Sequence, residues 1–279
     1  MIAANSRQRR KLTAIAAQIE PAEMLFVDWD GCIFRNRRFI PGADRFLRHA
    51  SQKICVVSNN STELPSQFAS SLAGADIDIP ESRIFPAGHA AIDYVASTLP
   101  KQRVFLIGSR TMLGYARQKG VFLVKHNPDV VLLLRDPTFS YRKLRASANF
   151  VRNGAKLIVA NPDASHPDDT GIMPETGALL AAITACLDGR ARSPTVIGKP
   201  SPLLFELALE QVGTDPERTL VIGDNPITAI EGAAKLGIQS VLIDPVQGVT
   251  LSSIHDARLI QPGDRRRPYR GLNPRDDLS

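Results

Sequence analysis

Met24-Leu25-Phe26-Val27-Asp28-Trp29-Asp30-Gly31 is four apolar residues, then two carboxylates flanking a tryptophan, then a glycine. The apolar run is too short for a helix and suits a strand buried on both faces. The same punctuation recurs in Ile54-Cys55-Val56-Val57 before Ser58 and in Thr195-Val196-Ile197 before Gly198-Lys199. It returns in Leu220-Val221-Ile222 before Gly223-Asp224 and in Val241-Leu242-Ile243 before Asp244. Helix-like stretches at 43–49, 203–212 and 227–236 lie between these runs. Strands alternating with helices predict an α/β fold on a doubly wound parallel sheet. Such sheets bind ligands outside the carboxyl ends of their strands. Here those ends carry Asp28, Ser58, Lys199 and Asp224.

The middle of the chain repeats the pattern in Val104-Phe105-Leu106-Ile107, Val130-Val131-Leu132-Leu133-Leu134 and Leu157-Ile158-Val159-Ala160, without comparable acids at its first strand ends. Residues 87–192 are therefore read as an inserted α/β domain. It interrupts a core made of 1–86 and 193–279, with hinges near Pro86-Ala87-Gly88 and Arg192-Ser193-Pro194. A composition 43% hydrophobic and 22% charged excludes a disordered chain. No apolar run approaches the roughly 20 residues that cross a bilayer. The basic start, Arg7 to Lys11, is followed by no clear cleavage site, so no secretory signal is read and the cytoplasm is expected. Cys32, Cys55 and Cys186 have no metal-binding or disulfide-framework spacing. The net charge of +6 sits in the two ends, 1–11 and 258–279, which are expected to be mobile, solvated tails; binding to nucleic acid is not the reading preferred.

Asp28 can attack phosphorus as a nucleophile, and Asp30 can protonate the leaving oxygen and then take a proton from water. Phosphate and carboxylate repel, so a hard cation such as Mg²⁺ is needed to bring them together. Gly31 permits a sharp turn that presents backbone N–H groups to an anion. Ser58-Asn59-Asn60 can hold phosphate oxygens, Lys199 in Gly198-Lys199-Pro200 can screen nucleophile from phosphate, and Asp224 can complete a carboxylate set for the metal. Each piece alone reads equally as a turn, a cap or a surface charge.

In this order, the four pieces resemble the motifs of the haloacid dehalogenase-like hydrolases. Ile40-Pro41-Gly42-Ala43, Val57-Ser58-Asn59-Asn60-Ser61, Ala160-Asn161-Pro162-Asp163 and Val196-Ile197-Gly198-Lys199-Pro200 are similar to the NagD-like branch. The resemblance covers roughly residues 23–250. It implies a Rossmann-like core with a C2-type cap closing over the site, and an aspartyl-phosphate mechanism. It further implies Asp28 as nucleophile, Asp30 as acid/base, Ser58 and Lys199 as phosphate binders, and Mg²⁺ on Asp28, the Asp30 carbonyl and Asp224. Two departures stand out. Ala229 occupies the place of a second acid in the last motif, and Cys32 stands where relatives often have threonine.

Choice of leaving group falls to the cap loop Asn161-Pro162-Asp163-Ala164-Ser165-His166-Pro167, where Asp163 and His166 can reach a sugar, a base or a small acid. Glu175 is unusual for its position and would disfavour strongly anionic leaving groups such as glycolate. The expected partner is a small phosphorylated metabolite: a sugar, nucleotide, glycerol or pyridoxal phosphate. A homodimer through the cap is one assembly the resemblance leaves open. Competing readings are a regulatory protein whose site Ala229 has weakened, a phosphotransferase or phosphomutase using the same intermediate, and a polyanion binder using Arg265-Arg266-Arg267.

Overall fold

Hydrogen-bond pairing sorts the apolar runs into two parallel sheets. The computed structural model describes residues 2–36, 38–187, 189 and 193–259. Its strands begin with β1 (Met24–Val27), the short hairpin β2 (Phe34–Arg35) and β3 (Arg38–Phe39), then β4 (Ile54–Ser58) and β5 (Ile84–Pro86). The chain continues through β6 (Val104–Ile107), β7 (Val130–Leu133), β8 (Lys156–Val159), the hairpin β9 (Ser165–Asp168) and β10 (Gly171–Pro174), and β11 (Thr195–Val196). It returns with β12 (Thr219–Gly223) and β13 (Gln239–Leu242). The first sheet has the order β13-β12-β1-β4-β5 and the second β11-β8-β7-β6, all pairs parallel. With β1 central, Val27 pairs with both Ile222 and Val56, so Asp28, Ser58 and Asp224 leave the sheet side by side.

Alternate residues of these strands face different layers, as a period of two requires. Leu25 and Val27 join one apolar cluster with helices Ile2–Ile19, Ala43–Ala50, Pro65–Ala73 and Leu251–Leu259. Phe26, Cys55, Val57 and Val221 face the other way, into a cluster that also contains Val104, Val130, Leu132 and Ile158 of the second sheet. Helices Ala87–Thr98, Arg110–Gln118 and Leu203–Val212 fill that space. Helices Tyr141–Arg152 and Thr176–Ala185 cover the second sheet's outer face. The architecture is thus five layers, α/β/α/β/α, with the middle helices shared.

Two expectations change, and others fall outside the described residues. Thr195-Val196, read as a strand of the core, pairs with β8 and forms the edge of the second sheet. Its apolar character suits either sheet, and only the partner decides. The basic residues Arg7 to Lys11 are exposed positions of helix Ile2–Ile19. That helix is seated by Ile15, Ala16 and Ile19, one face at helical spacing. Arg258 closes helix Leu251–Leu259, while Arg265, Arg266 and Arg267 lie outside the described residues, as does Arg192 at the second expected hinge.

At the first expected hinge, β5 runs straight into helix Ala87–Thr98, where Gly88 lets the helix touch the loop after β4. A Cβ at Gly88 would lie 2.6 Å from the Ser61 Cα, and the Gly88 N–H donates to the Asn60 carbonyl at 3.0 Å. Gly88→Ala is expected to destabilise the fold by about 1–3 kcal/mol, as overpacking does. Urea unfolding checks this; an unchanged midpoint would mean that the helix shifts freely.

Candidate active site

Asp28 stands at the tip of the central strand with 9% of its surface exposed. Its Oδ1 accepts from the Trp29 N–H at 2.8 Å, and its Oδ2 lies 2.6 Å from Lys199 Nζ. Lys199 is 2% exposed and also donates to the Val57 carbonyl at 2.9 Å. Its backbone is clamped by one amide: Lys199 N–H donates to Asn59 Oδ1 at 2.8 Å, and Asn59 Nδ2 donates to the Lys199 carbonyl at 2.9 Å. The lysine arrives on the loop after β11, so the Asp28 carboxylate and its ammonium come from different sheets.

Asp30 and Asp224 complete a carboxylate cluster. Asp30 opens onto the cleft, yet the protein around it withholds enough water to push its pKa up. The Asp28 charge adds to this and Lys199 partly opposes it, leaving a value of about 7. Asp224 is raised to about 6 by burial first and Asp28 second, again against Lys199. It lies directly on Gly31, whose φ is +78°; a Cβ there would sit 1.8 Å from Asp224 Oδ2. Three acids around one ammonium leave excess negative charge, which a divalent cation would neutralise. Among the described residues no three His, Cys, Asp or Glu side chains form a metal cage. Ala229 is buried in the apolar cluster shared by the sheets. Asp28 and Asp224 supply hard carboxylate oxygens of the kind such a cation takes. Mg²⁺ characteristically keeps several waters beside so few protein oxygens.

Ser58 is buried, and its Oγ accepts from the Asn60 N–H at 3.0 Å, leaving its own proton to donate. Asn59 and Asn60, expected to bind substrate, both make hydrogen bonds within the protein. Both Nδ2 hydrogens of Asn59 are taken, by the Lys199 carbonyl and by Asp163 Oδ2 at 2.9 Å. Asn60 Oδ1 accepts the Thr62 and Glu63 N–H groups at 2.9 and 3.0 Å. These amides shape the loop. A buried polar chain not foreseen from sequence continues from them. Asn161 Nδ2 donates to the Asn59 carbonyl at 2.7 Å and to Thr176 Oγ1 at 3.2 Å. Thr176 meets Ser61 Oγ at 3.0 Å, and Ser61 Oγ accepts the Arg135 N–H at 3.1 Å.

On the cap side, Asp163 is held by Asn59, and burial raises its pKa. His166 Nδ1 donates to Glu175 Oε1 at 2.8 Å, and Arg135 Nη1 donates to the same oxygen at 3.0 Å. Arg135 carries no sequence signal; it follows an apolar strand like any surface arginine. The cleft is bridged where Asn36, in the turn between β2 and β3, donates to Asp169 Oδ1 at 2.5 Å, in the turn between β9 and β10.

Residues 25–122 match a family model described as haloacid dehalogenase-like hydrolase, and 196–258 match a second, HAD-hydrolase-like. The chain is 31% identical to dihydroxyacetone phosphatase of Corynebacterium glutamicum, over 77% of this chain and 78% of that protein. It is 29% identical to the 5'-nucleotidase YutF of Bacillus subtilis, over 78% and 85% of the two chains. NagD of Escherichia coli K-12 superposes with a TM-score of 0.72 at 26% identity, over 82% of this chain and 89% of that one.

Asp30 and Asp224 bind protons more tightly folded than unfolded. Their stabilisation is complete below the unfolded value of 3.8 and is lost as pH rises through about 6 and 7. The metal-free protein is therefore expected to lose thermal stability between about pH 4 and pH 8, less steeply in Asp224→Asn. Added magnesium should raise Tm, and more at about pH 8 than at about pH 5, where protons compete. Melting curves check this; a Tm blind to magnesium at the higher pH would count against the metal assignment.

Proposed function

The chain belongs to the haloacid dehalogenase-like hydrolases, in their NagD-like branch, and is a phosphatase; from this we propose that it hydrolyses a small phosphorylated metabolite through an aspartyl-phosphate on Asp28. The observation that carries the reading is the placement of a buried ammonium 2.6 Å from the Asp28 carboxylate, with a second acid two residues on whose pKa is about 7. An Asp28 oxygen attacks phosphorus as the bond to the leaving oxygen breaks, and Asp30 delivers its proton to that oxygen. Asp30 then takes a proton from water, whose oxygen attacks phosphorus, freeing phosphate and restoring Asp28. Lys199 and the Ser58 hydroxyl hold the phosphoryl oxygens through both steps. Mg²⁺, when bound, supplies charge neutralisation between phosphate and carboxylates.

Relatives bearing the names of a dihydroxyacetone phosphatase and a nucleotidase support a small, soluble phosphate ester as substrate. Among the described residues no helix is long and apolar enough to cross a membrane. The three cysteines are unpaired, two of them buried, which suits a reducing compartment, and the cytoplasm is the proposed location.

Asp28→Asn is expected to abolish magnesium-dependent phosphate release from p-nitrophenyl phosphate. Asp30→Asn should cost roughly 10²–10⁴ on alkyl phosphates and less on p-nitrophenyl phosphate, whose leaving group needs little protonation. With alkyl substrates the wild-type rate should decline above pH about 7 as Asp30 ionises. Phosphate release that survives Asp28→Asn would overturn the nucleophile; transfer to a second hydroxyl in place of water would indicate a phosphotransferase.

A further inference from the structure

Above the site, the cap presents one cation that the catalytic machinery does not use. Arg135 follows β7, its backbone fixed by Ser61 and its side chain only 22% exposed. Glu175, 13% exposed, faces it. The carboxylate shares Oε1 between Arg135 and His166, while Oε2 is buried with no hydrogen-bond partner. The Glu175 N–H donates to the Ala164 carbonyl at 2.9 Å, next to Asp163, whose side chain is bonded to Asn59 and through it to the Lys199 backbone, so the pair sits beside the cleft.

An arginine in such a place, left to itself, would recruit a carboxylate, because its planar fork matches one. Here Glu175 already supplies that carboxylate at 3.0 Å, with the His166 ring nitrogen on the same oxygen, and the neighbouring Asp163 is a second acid. A substrate carboxylate would meet Glu175 as a like charge in a site with little water to screen it. A hydroxyl meets no such penalty. It can donate to Glu175 Oε2, the acceptor the protein leaves unmatched, once the carboxylate turns slightly, and it can accept from the remaining Arg135 N–H groups. We infer that Arg135, neutralised by Glu175, is a specificity-determining residue, and that the pair selects an uncharged leaving group bearing hydroxyl or carbonyl oxygens over a carboxylated one. The inference rests on the phosphatase reading and names the leaving-group class within it.

The test uses the full chain with Mg²⁺ and four variants: wild type, Glu175→Gln, Arg135→Gln and the double substitution. For each, kcat/KM is measured on glycerol 3-phosphate and dihydroxyacetone phosphate, and on 2-phosphoglycolate and 3-phosphoglycerate. The readout is the acidic-to-neutral ratio within one variant, which cancels any general loss of activity. Wild type should favour the neutral pair. Glu175→Gln, which frees the guanidinium, should raise the ratio about tenfold or more. The double substitution should return it toward wild type, because the gain belongs to Arg135. An unchanged ratio in Glu175→Gln, or a gain that survives loss of Arg135, overturns the inference. Should a variant not fold, inhibition of wild-type p-nitrophenyl phosphate hydrolysis decides: 2-phosphoglycolate competing as well as glycerol 3-phosphate sinks the idea. If wild type releases phosphate from none of these esters, p-nitrophenyl phosphate included, the phosphatase reading itself has failed.

Discussion

The contact between Asp28 and Lys199 is the constraint around which the molecule is arranged. Both groups are nearly sealed from water, and burying an ion pair recovers its desolvation cost only with good geometry and further hydrogen bonds. Here the further bonds are present, from Trp29 to the carboxylate and from the ammonium to the Val57 carbonyl. Such pairs are weak evidence for stability, and removing one partner strands the other. The pair makes sense as placement: under the proposed mechanism it sets the attacking carboxylate and a phosphate-neutralising charge at one point before any ligand arrives.

Because its two members come from different sheets, the pair requires that the sheets be held in fixed register. The buried polar chain Lys199–Asn59–Asn161–Thr176–Ser61–Arg135 does this work, with every bond between 2.7 and 3.2 Å. Buried polar groups that are mutually satisfied specify one arrangement, since any slip leaves several of them unpaired. The shared helical layer beneath adds apolar contacts from both sheets. The Asp28–Lys199 pair and the cap loop are thus built on one frame, with Asn59 touching Lys199 on one side and cap Asp163 on the other.

What could be read from sequence was local. An apolar run followed by Asp28, Ser58 or Asp224 announces a strand tip, and the sheet delivers such tips to one edge. What could not be read depends on partners far along the chain. Thr195-Val196 is as good a strand for either sheet until β8 claims it. Asn59 looks like a ligand-binding amide until its hydrogens are traced to Lys199 and Asp163. Arg135 becomes informative only once Glu175, forty residues on, is found against it. The start of the chain was misjudged because charge at Arg7 to Lys11 drew attention from the apolar face formed by Ile15, Ala16 and Ile19.

The shared helical layer has a consequence for traffic through the cleft. Swinging the whole second sheet away would split a continuous apolar cluster and break the polar chain above it. Between the turns that meet at Asn36 and Asp169 the described residues make one surface hydrogen bond, and β9 and β10 are largely solvent-facing. Among the described residues, these two small ribbons are thus the least anchored part of the cleft's border, while the walls behind them are tied through both the apolar cluster and the polar chain.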